Sequence, residues 1–452
     1  MFHTLVPGRR WILGLAIAAA GCRTYAPQPL DPEEILSRIA EERDTAATGE
    51  VVSLREAADL MRRFNPQLQR VRAAYATEQA VADVKTPLPN PTLDFAPIYT
   101  NLASLGSDRW GADLGLGWTI LLAGKRRLTD ELNAIRAEGA LIDVIATERE
   151  EYLTLRAEML ELAMAGRIDR ASETLYRTAE LAVRAIRAMV RASQGTALDV
   201  LQFEQELYQS EVDLASANEV TAVARAHVAA RAGVSPEAFT RADVPVLPET
   251  LPERAALQQR MLRDHPALAR LRADYLVAEK ELQLEIAYQY PDLNIAGLYS
   301  KDEGVNRVGI GIGIELPVFD RNQPAIARAD ARRNELRARF EAEVRTNLAA
   351  IDTAYGQLKA RVRQLSIVRE KLEPATKRTL AVARQSMEAG SVDSIQFLTV
   401  VKDNRRLRIR TLHTEQLVLQ AWAELELACG SPMLVFPEEP DAADAETKEN
   451  ES

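Results

Sequence analysis

Val308, Ile310, Ile312 and Ile314 alternate with Gly309, Gly311, Gly313 and Glu315, a period of two that leaves one face bulky and apolar and the other almost bare. Leu293, Ile295, Gly297 and Tyr299 carry the alternation upstream, and Lys301-Asp302-Glu303-Gly304 between the two runs reads as a turn, so the stretch predicts a β-hairpin. A second pair of strands is predicted over Thr92–Tyr99 and Gly111–Ile120, where Ala112, Leu114, Leu116 and Trp118 alternate with Gly111, Asp113, Gly115 and Gly117. A strand in a soluble sandwich puts bulk on the core face and polar side chains on the other. Here the pattern suits bulk turned to lipid, with Gly115, Gly117, Gly309, Gly311 and Gly313 turned to a crowded or watery interior. An arginine at Gly311 is then expected to disrupt assembly.

Between the hairpins the period changes to that of helices. Ser53 and Glu56 form a capping box at the start of a helix expected to run to about Thr86, where Pro87 and Pro89 stop it. After Gly124-Lys125-Arg126-Arg127 a helical run without proline continues to about Ser193, and at 1.5 Å per residue it spans roughly 100 Å. Gln194-Gly195-Thr196 turns the chain into a return helix from Leu198 to about Ala232. Another long helix is expected from Pro324 to Ala389 with a kink at Pro374; Gly390-Ser391 turns it into a return helix ending near Cys429-Gly430.

The plan is a tandem repeat. Asn65-Pro66, Leu68, Arg70, Arg72 and Tyr75 match His265-Pro266, Leu268, Arg270, Arg272 and Tyr275 at an offset of about 200 residues. The chain divides into a signal segment (residues 1–21), a leader (22–52), a first repeat (53–233), a proline-marked linker (234–253), a second repeat (254–432) and an acidic, disordered tail (433–452). Each repeat reads helix, β-hairpin, very long helix, return helix. Four strands cannot close a membrane barrel alone, and an open sheet would leave unsatisfied edges in lipid, so several chains are expected to share one barrel.

Composition sharpens this picture. Aromatic residues make up only 5% and charged residues 27%, which suits long helices better than a large compact core. A net charge of −10 argues against a nucleic-acid surface. No apolar stretch is long enough for a transmembrane helix. Arg9-Arg10 and the apolar run Trp11–Ala20 form a targeting segment, followed by Ala19-Ala20-Gly21-Cys22. That ending resembles a bacterial lipobox with Cys22 as the lipidated first mature residue; Ala18-Ala19-Ala20 also satisfies an ordinary cleavage site.

Together the repeat, the N-P and H-P corners, the two hairpins and the corners Gly124-Lys125-Arg126-Arg127 and Leu316-Pro-Val-Phe-Asp-Arg-Asn-Gln323 resemble the TolC family of outer-membrane efflux proteins, over nearly the whole chain from Ser53 to Pro432. The second corner is similar to CzcC-like metal-efflux members. The resemblance implies a mainly α fold with a β-barrel contribution: a homotrimer whose barrel of about twelve strands lies in the outer membrane and continues as a periplasmic α-helical barrel. It implies an exit duct, of a tripartite efflux or type I secretion system, that performs no chemistry, carries no cofactor, and serves a periplasmic adaptor and an inner-membrane pump. It also places a gate at the turns into the return helices. Asp199 and Gln202 stand at the first. At the second, Gln396 and Thr399 take the gate positions if Leu398 is the reference, whereas counting from the glycine makes Asp393 the nearest carboxylate. Asp199 and Asp393 can equally be helix caps.

Other chemistry is poorly supported. Gly309–Gly313 lacks the spacing of a dinucleotide loop, and His3, His227, His265 and His413 are scattered without ligand spacing, so no fixed metal site is expected. Lys125, Arg126, Arg127 and Arg321 fall just past the strands, where they could meet the membrane interface; Trp110 and Trp118 fit an aromatic girdle. The competing reading is a lipid-anchored periplasmic coiled-coil adaptor or scaffold, against which the duplicated hairpins argue.

Overall fold

A computed structural model describes residues 25–46, 53–99, 109–193, 195–248, 250–302, 305–389, 391 and 393–437. The signal segment, Cys22, Glu303-Gly304 and Gly390 lie outside the described residues. Residues 1–45 and residues 46–452 form separate units. The first holds most of helix α1 (Pro32–Ala46), begun by Asp31, whose carboxylate accepts the amides of Glu33 (3.0 Å) and Glu34 (3.2 Å).

The second unit opens with α2 (Leu54–Phe64) and α3 (Pro66–Ala82), where the sequence suggested a single helix to Thr86. Pro66 is the reason. A residue before proline is pushed out of the helical region, and Asn65 sits at φ −60°, ψ 123°. Asn65 ends one helix and caps the next, its Oδ1 accepting from the amides of Gln67 (2.9 Å) and Leu68 (3.0 Å). The capping box at Ser53 and Glu56 forms as the sequence implied. After strands β1 (Thr92–Tyr99) and β2 (Trp110–Ile120) come α4 (Lys125–Arg191) and the return helix α5 (Ala197–Ala232). The second repeat follows the same order: α6 (Arg254–Asp264), α7 (Pro266–Ala287), β3 (Leu293–Asp302), β4 (Val305–Ile314), α8 (Gln323–Ile367), α9 (Glu373–Glu388) and α10 (Ser394–Cys429). Pro374 does not simply kink the second long helix. A π-turn over Val368–Leu372 precedes it, with the Glu373 amide donating to Val368 O. That wider turn relieves the clash between a proline ring and the carbonyl four residues back.

Each return helix ends against the corner that starts its repeat. Gly233 and Gly430 cap α5 and α10 in the left-handed region, at φ 76° and 68°. A Cβ on Gly233 would meet the Phe64 carbonyl, and one on Gly430 would lie 2.6 Å from His265 Cα, so both positions need glycine for conformation and for space. At the first corner Asn65 Nδ2 donates to Glu151 (2.9 Å) and to Arg231 O (2.9 Å), and Arg231 binds Glu151 (2.7 Å) and Glu158 (2.9 Å). Those two carboxylates hold the Arg231 guanidinium pKa above its usual value despite its burial. The second corner carries His265, whose Nδ1 is buried without a partner among the described residues; burial pushes its pKa down.

Two stretches read as linker and tail belong to the core. Val234, Phe239, Leu434 and Phe436 are buried, and Val246 donates to Val435 O (2.9 Å). Glu426 and Arg156, both fully buried, bind in bidentate fashion (3.0 and 3.1 Å). Arg156 also donates to Leu434 O and lies 4.9 Å from the Phe436 ring. The segment Met433–Phe436 is apolar, and that was the signal that the acidic tail starts later.

Gly430→Ala is expected to destabilise the protein by roughly 1–3 kcal/mol, read as a lowered unfolding midpoint. Gly309→Ala, whose Cβ would meet nothing within 4 Å, is expected to leave the midpoint unchanged.

Candidate functional site

The four strands form one antiparallel sheet in the order β1-β2-β3-β4, so the two hairpins join through β2 and β3. The register aligns every apolar run. Leu93 faces Leu116, which faces Gly297, which faces Ile310; Phe95, Leu114, Tyr299 and Val308 form the next row. Trp118 and Ile295 with Ile312, and Ile120 and Leu293 with Ile314, extend the same face. Tyr99 and Trp110 close its far end, ring centroids 5.0 Å apart. The face is uncovered: Val308 is 84% and Ile310 81% exposed. Burying one such side chain is worth roughly 1.5–3 kcal/mol, so covering only part of the row exceeds the ~5–15 kcal/mol net stability of a typical domain.

The opposite face carries the glycines. Of the two surroundings expected for them, crowded or watery, β2 shows the first and β4 the more open one. A Cβ on Gly117 would lie 2.7 Å from Thr92 Oγ1, and one on Gly115 3.4 Å from Asp94 Cβ. Gly311 and Gly313 leave ordinary van der Waals room, and Gly309 faces open space. A Cβ at Gly311 is therefore accommodated within the chain. Asp94, Asp113 and Arg307 share this face with the glycines, and Asp113 Oδ1 is buried without a partner among the described residues.

Below the sheet, Lys125 corrects the reading of the basic corner. It is buried, its Nζ 2.7 Å from both Asp292 Oδ1 and Tyr290 O and 5.4 Å from the Tyr288 ring. It ties the start of α4 to the start of β3 and does not reach a membrane surface. Arg126 donates to Thr86 O (2.6 Å) while remaining exposed.

At the opposite end of the long helices, the turns into α5 and α10 are capped. The Asp199 carboxylate accepts from the Thr196 hydroxyl and amide (both 2.7 Å), and Asp393 accepts from the Gln396 amide (2.7 Å). Thr399 donates to Ile395 O (3.0 Å), and the Gln202 and Gln396 side chains are exposed. Both carboxylates thus act as caps in the single chain. The return helices are joined farther along, where Glu206 on α5 meets Arg406 (2.8 Å) and Lys402 (3.7 Å) on α10. Sequence reading passed over this contact, although the basic run Lys402-Asp-Asn-Arg-Arg-Leu-Arg-Ile-Arg410 was visible. Arg405 in that run lines an open cavity of about 560 Å³ with Arg167, Lys377 and Arg408; burial lowers its pKa, and its Nη1 has no partner among the described residues. No group of three or more His, Cys, Asp or Glu placed to hold a metal ion occurs among the described residues.

The same arrangement occurs in solved outer-membrane proteins. The chain superposes on the outer-membrane channel OprN with a TM-score of 0.67 at 16% identity, covering 84% of this chain and 90% of that one. It matches the transmembrane channel CusC (TM-score 0.65, 14% identity, 84% and 92%) and the outer membrane protein VceC from Vibrio cholerae (TM-score 0.65, 16% identity, 84% and 96%). The fold is therefore that of outer-membrane channel proteins, mainly helical with an antiparallel sheet. Residues 257–431, nearly all of the second repeat, match the family of outer membrane efflux proteins, and the resemblance to TolC-family efflux proteins stands. The chain is also 28% identical over 246 residues to the cobalt-zinc-cadmium resistance protein CzcC of Cupriavidus metallidurans, a match spanning 52% of this chain and 57% of that relative.

Thr196, by its hydroxyl and then its amide, holds the Asp199 carboxyl below the usual range. The cap's contribution is therefore present above the ordinary carboxylate pKa and lost as pH falls through the lowered one. Asp199→Ala is expected to speed amide exchange over Thr196–Gln202 at neutral pH. That difference from the wild type should shrink as pH falls through the lowered value.

Proposed function

We propose that this protein is the outer-membrane exit duct of a tripartite efflux system, built as a homotrimer whose three sheets close one barrel. The observation that carries the reading is the sheet itself: one apolar face, a glycine-rich opposite face, and two edge strands, β1 and β4, each paired on one side only among the described residues. Backbone groups in lipid must be paired, and identical neighbours pair β4 of one copy with β1 of the next. The bulky face meets hydrocarbon and the glycine face lines the lumen. The long helices continue the passage into the periplasm, where an adaptor and an inner-membrane pump supply cargo and energy. Cys22 carries the lipid anchor of the mature chain. The similarity to a cobalt-zinc-cadmium resistance protein supports divalent cations as the cargo class.

The capped turns serve as the periplasmic end of the duct. Asp199 and Asp393 hold their shape, and the exposed Gln202, Gln396 and Thr399 line it with neutral polar groups in place of an acidic ring. The scaffold alternative leaves the apolar face of the sheet without a role, and nothing in the structure favours it.

The orientation of the sheet separates two substitutions on neighbouring residues. Ile312→Arg places charge in hydrocarbon, at about 2–4 kcal/mol per copy near the bilayer midplane, and is expected to abolish the assembled form in outer-membrane fractions. Gly309→Arg, which points into the lumen, is expected to assemble normally. The reverse pattern contradicts the reading.

A further inference from the structure

We propose that the corner Leu316–Phe319 is a rigid anchor seated in the lipid interface at the periplasmic side of the outer membrane. The proposal rests on the duct reading above and extends it to a segment that forms no part of the barrel ladder.

β2 and β4 run in the same direction, so the corners that follow them lie at the same end of the sheet. The two corners are built differently. Only residues 121–124 separate β2 from α4, whereas residues 315–322 separate β4 from α8. The longer corner turns its apolar side chains outward: Leu316 is 71%, Val318 62% and Phe319 95% exposed, against 37% for Leu122 in the shorter one.

The ladder ends at Leu293 paired with Ile314, yet the period-two apolar run of β4 continues through Leu316 and Val318. The corner is also tied in place. The Val318 amide donates to Leu316 O (2.8 Å), Arg321 Nε to Pro317 O (3.0 Å), and the Asn322 amide to Asp320 Oδ1 (2.8 Å). Asn322, at φ 62°, also donates through Nδ2 to both the backbone oxygen (2.9 Å) and the carboxylate (2.7 Å) of Glu285 on α7. A segment pinned this firmly presents its side chains by construction.

Lipid is the occupant because these exposed apolar residues follow directly in sequence on the membrane-facing row of β4. The exposed Arg321 and Arg126 at the same end of the sheet also suit lipid phosphates. Aromatic side chains with neighbouring cations are the usual composition of that interface.

Tryptophan reporters test this in the full-length protein reconstituted into phospholipid vesicles. Emission of Phe319→Trp, and separately of Val318→Trp, is compared with the wild type to remove the emission of the protein's own tryptophans. The added emission should be blue-shifted, lose most of its intensity when the acyl chains are brominated near the headgroup, and resist iodide. Quenching by iodide with no response to bromine puts the corner in water and overturns the proposal. Protection from both puts it against protein, such as a neighbouring copy, and overturns it equally. The native mass of each variant separates the two levels of failure. A trimer with a wet or protein-covered reporter rejects only the anchor, whereas a monomer rejects the duct and the anchor with it.

Discussion

Backbone hydrogen bonding at the two outer strands governs the rest of this molecule. Among the described residues β1 and β4 are each paired on one side only, within a sheet whose apolar face is uncovered. In water such a sheet would be an aggregation surface; in a bilayer its unpaired amides and carbonyls are tolerated only if another strand satisfies them. In the proposed duct both demands, lipid on the apolar face and a strand at each edge, are met at once by closure with identical copies. Registry within the chain prepares for this: most apolar residues of one face fall opposite apolar residues on the next strand, with Gly297 set between Leu116 and Ile310.

Holding four strands in that registry requires a firm base, and the helices supply it through a few specific contacts. Lys125 and Asp292 join the two repeats directly beneath the sheet. Gly233 and Gly430 bring the ends of the return helices onto the proline corners at Asn65 and His265. The pair formed by Arg156 and Glu426 is taken wholly out of water. Its surrounding hydrogen bonds to Leu434 offset the desolvation of both charges and lock that segment onto the bundle. The two repeats are not copies in detail. Asn65 is fully hydrogen-bonded into a charged cluster with Glu151 and Arg231, whereas His265 keeps an unpartnered ring nitrogen at the equivalent place.

Much of this was legible in the sequence because the deciding signals are local. Alternation at Ala112–Trp118 and Val308–Ile314 located strands β2 and β4, while β3 runs two residues into the stretch expected as a turn, and glycine follows each return helix where it stops. The helix break at Pro66 was missed because the apolar period continues across it; proline's effect on the residue before it outweighed the period. The roles of Phe239, Leu434 and Phe436 depend on packing between segments far apart in sequence, which no local pattern encodes. Lys125 looked like an interfacial cation for the same reason: its partner Asp292 lies in the other repeat. At the turns, the capping roles of Asp199 and Asp393 could be read from spacing, while the contact of Glu206 with Arg406 could not.

The central claim is that one chain provides a third of a barrel. Its most direct test is the native mass of the full-length protein extracted in mild detergent from outer-membrane fractions. The account predicts a stable species of three copies. A protein recovered as a monomer would contradict it, because a lone four-stranded sheet cannot leave its edges and apolar face unsatisfied.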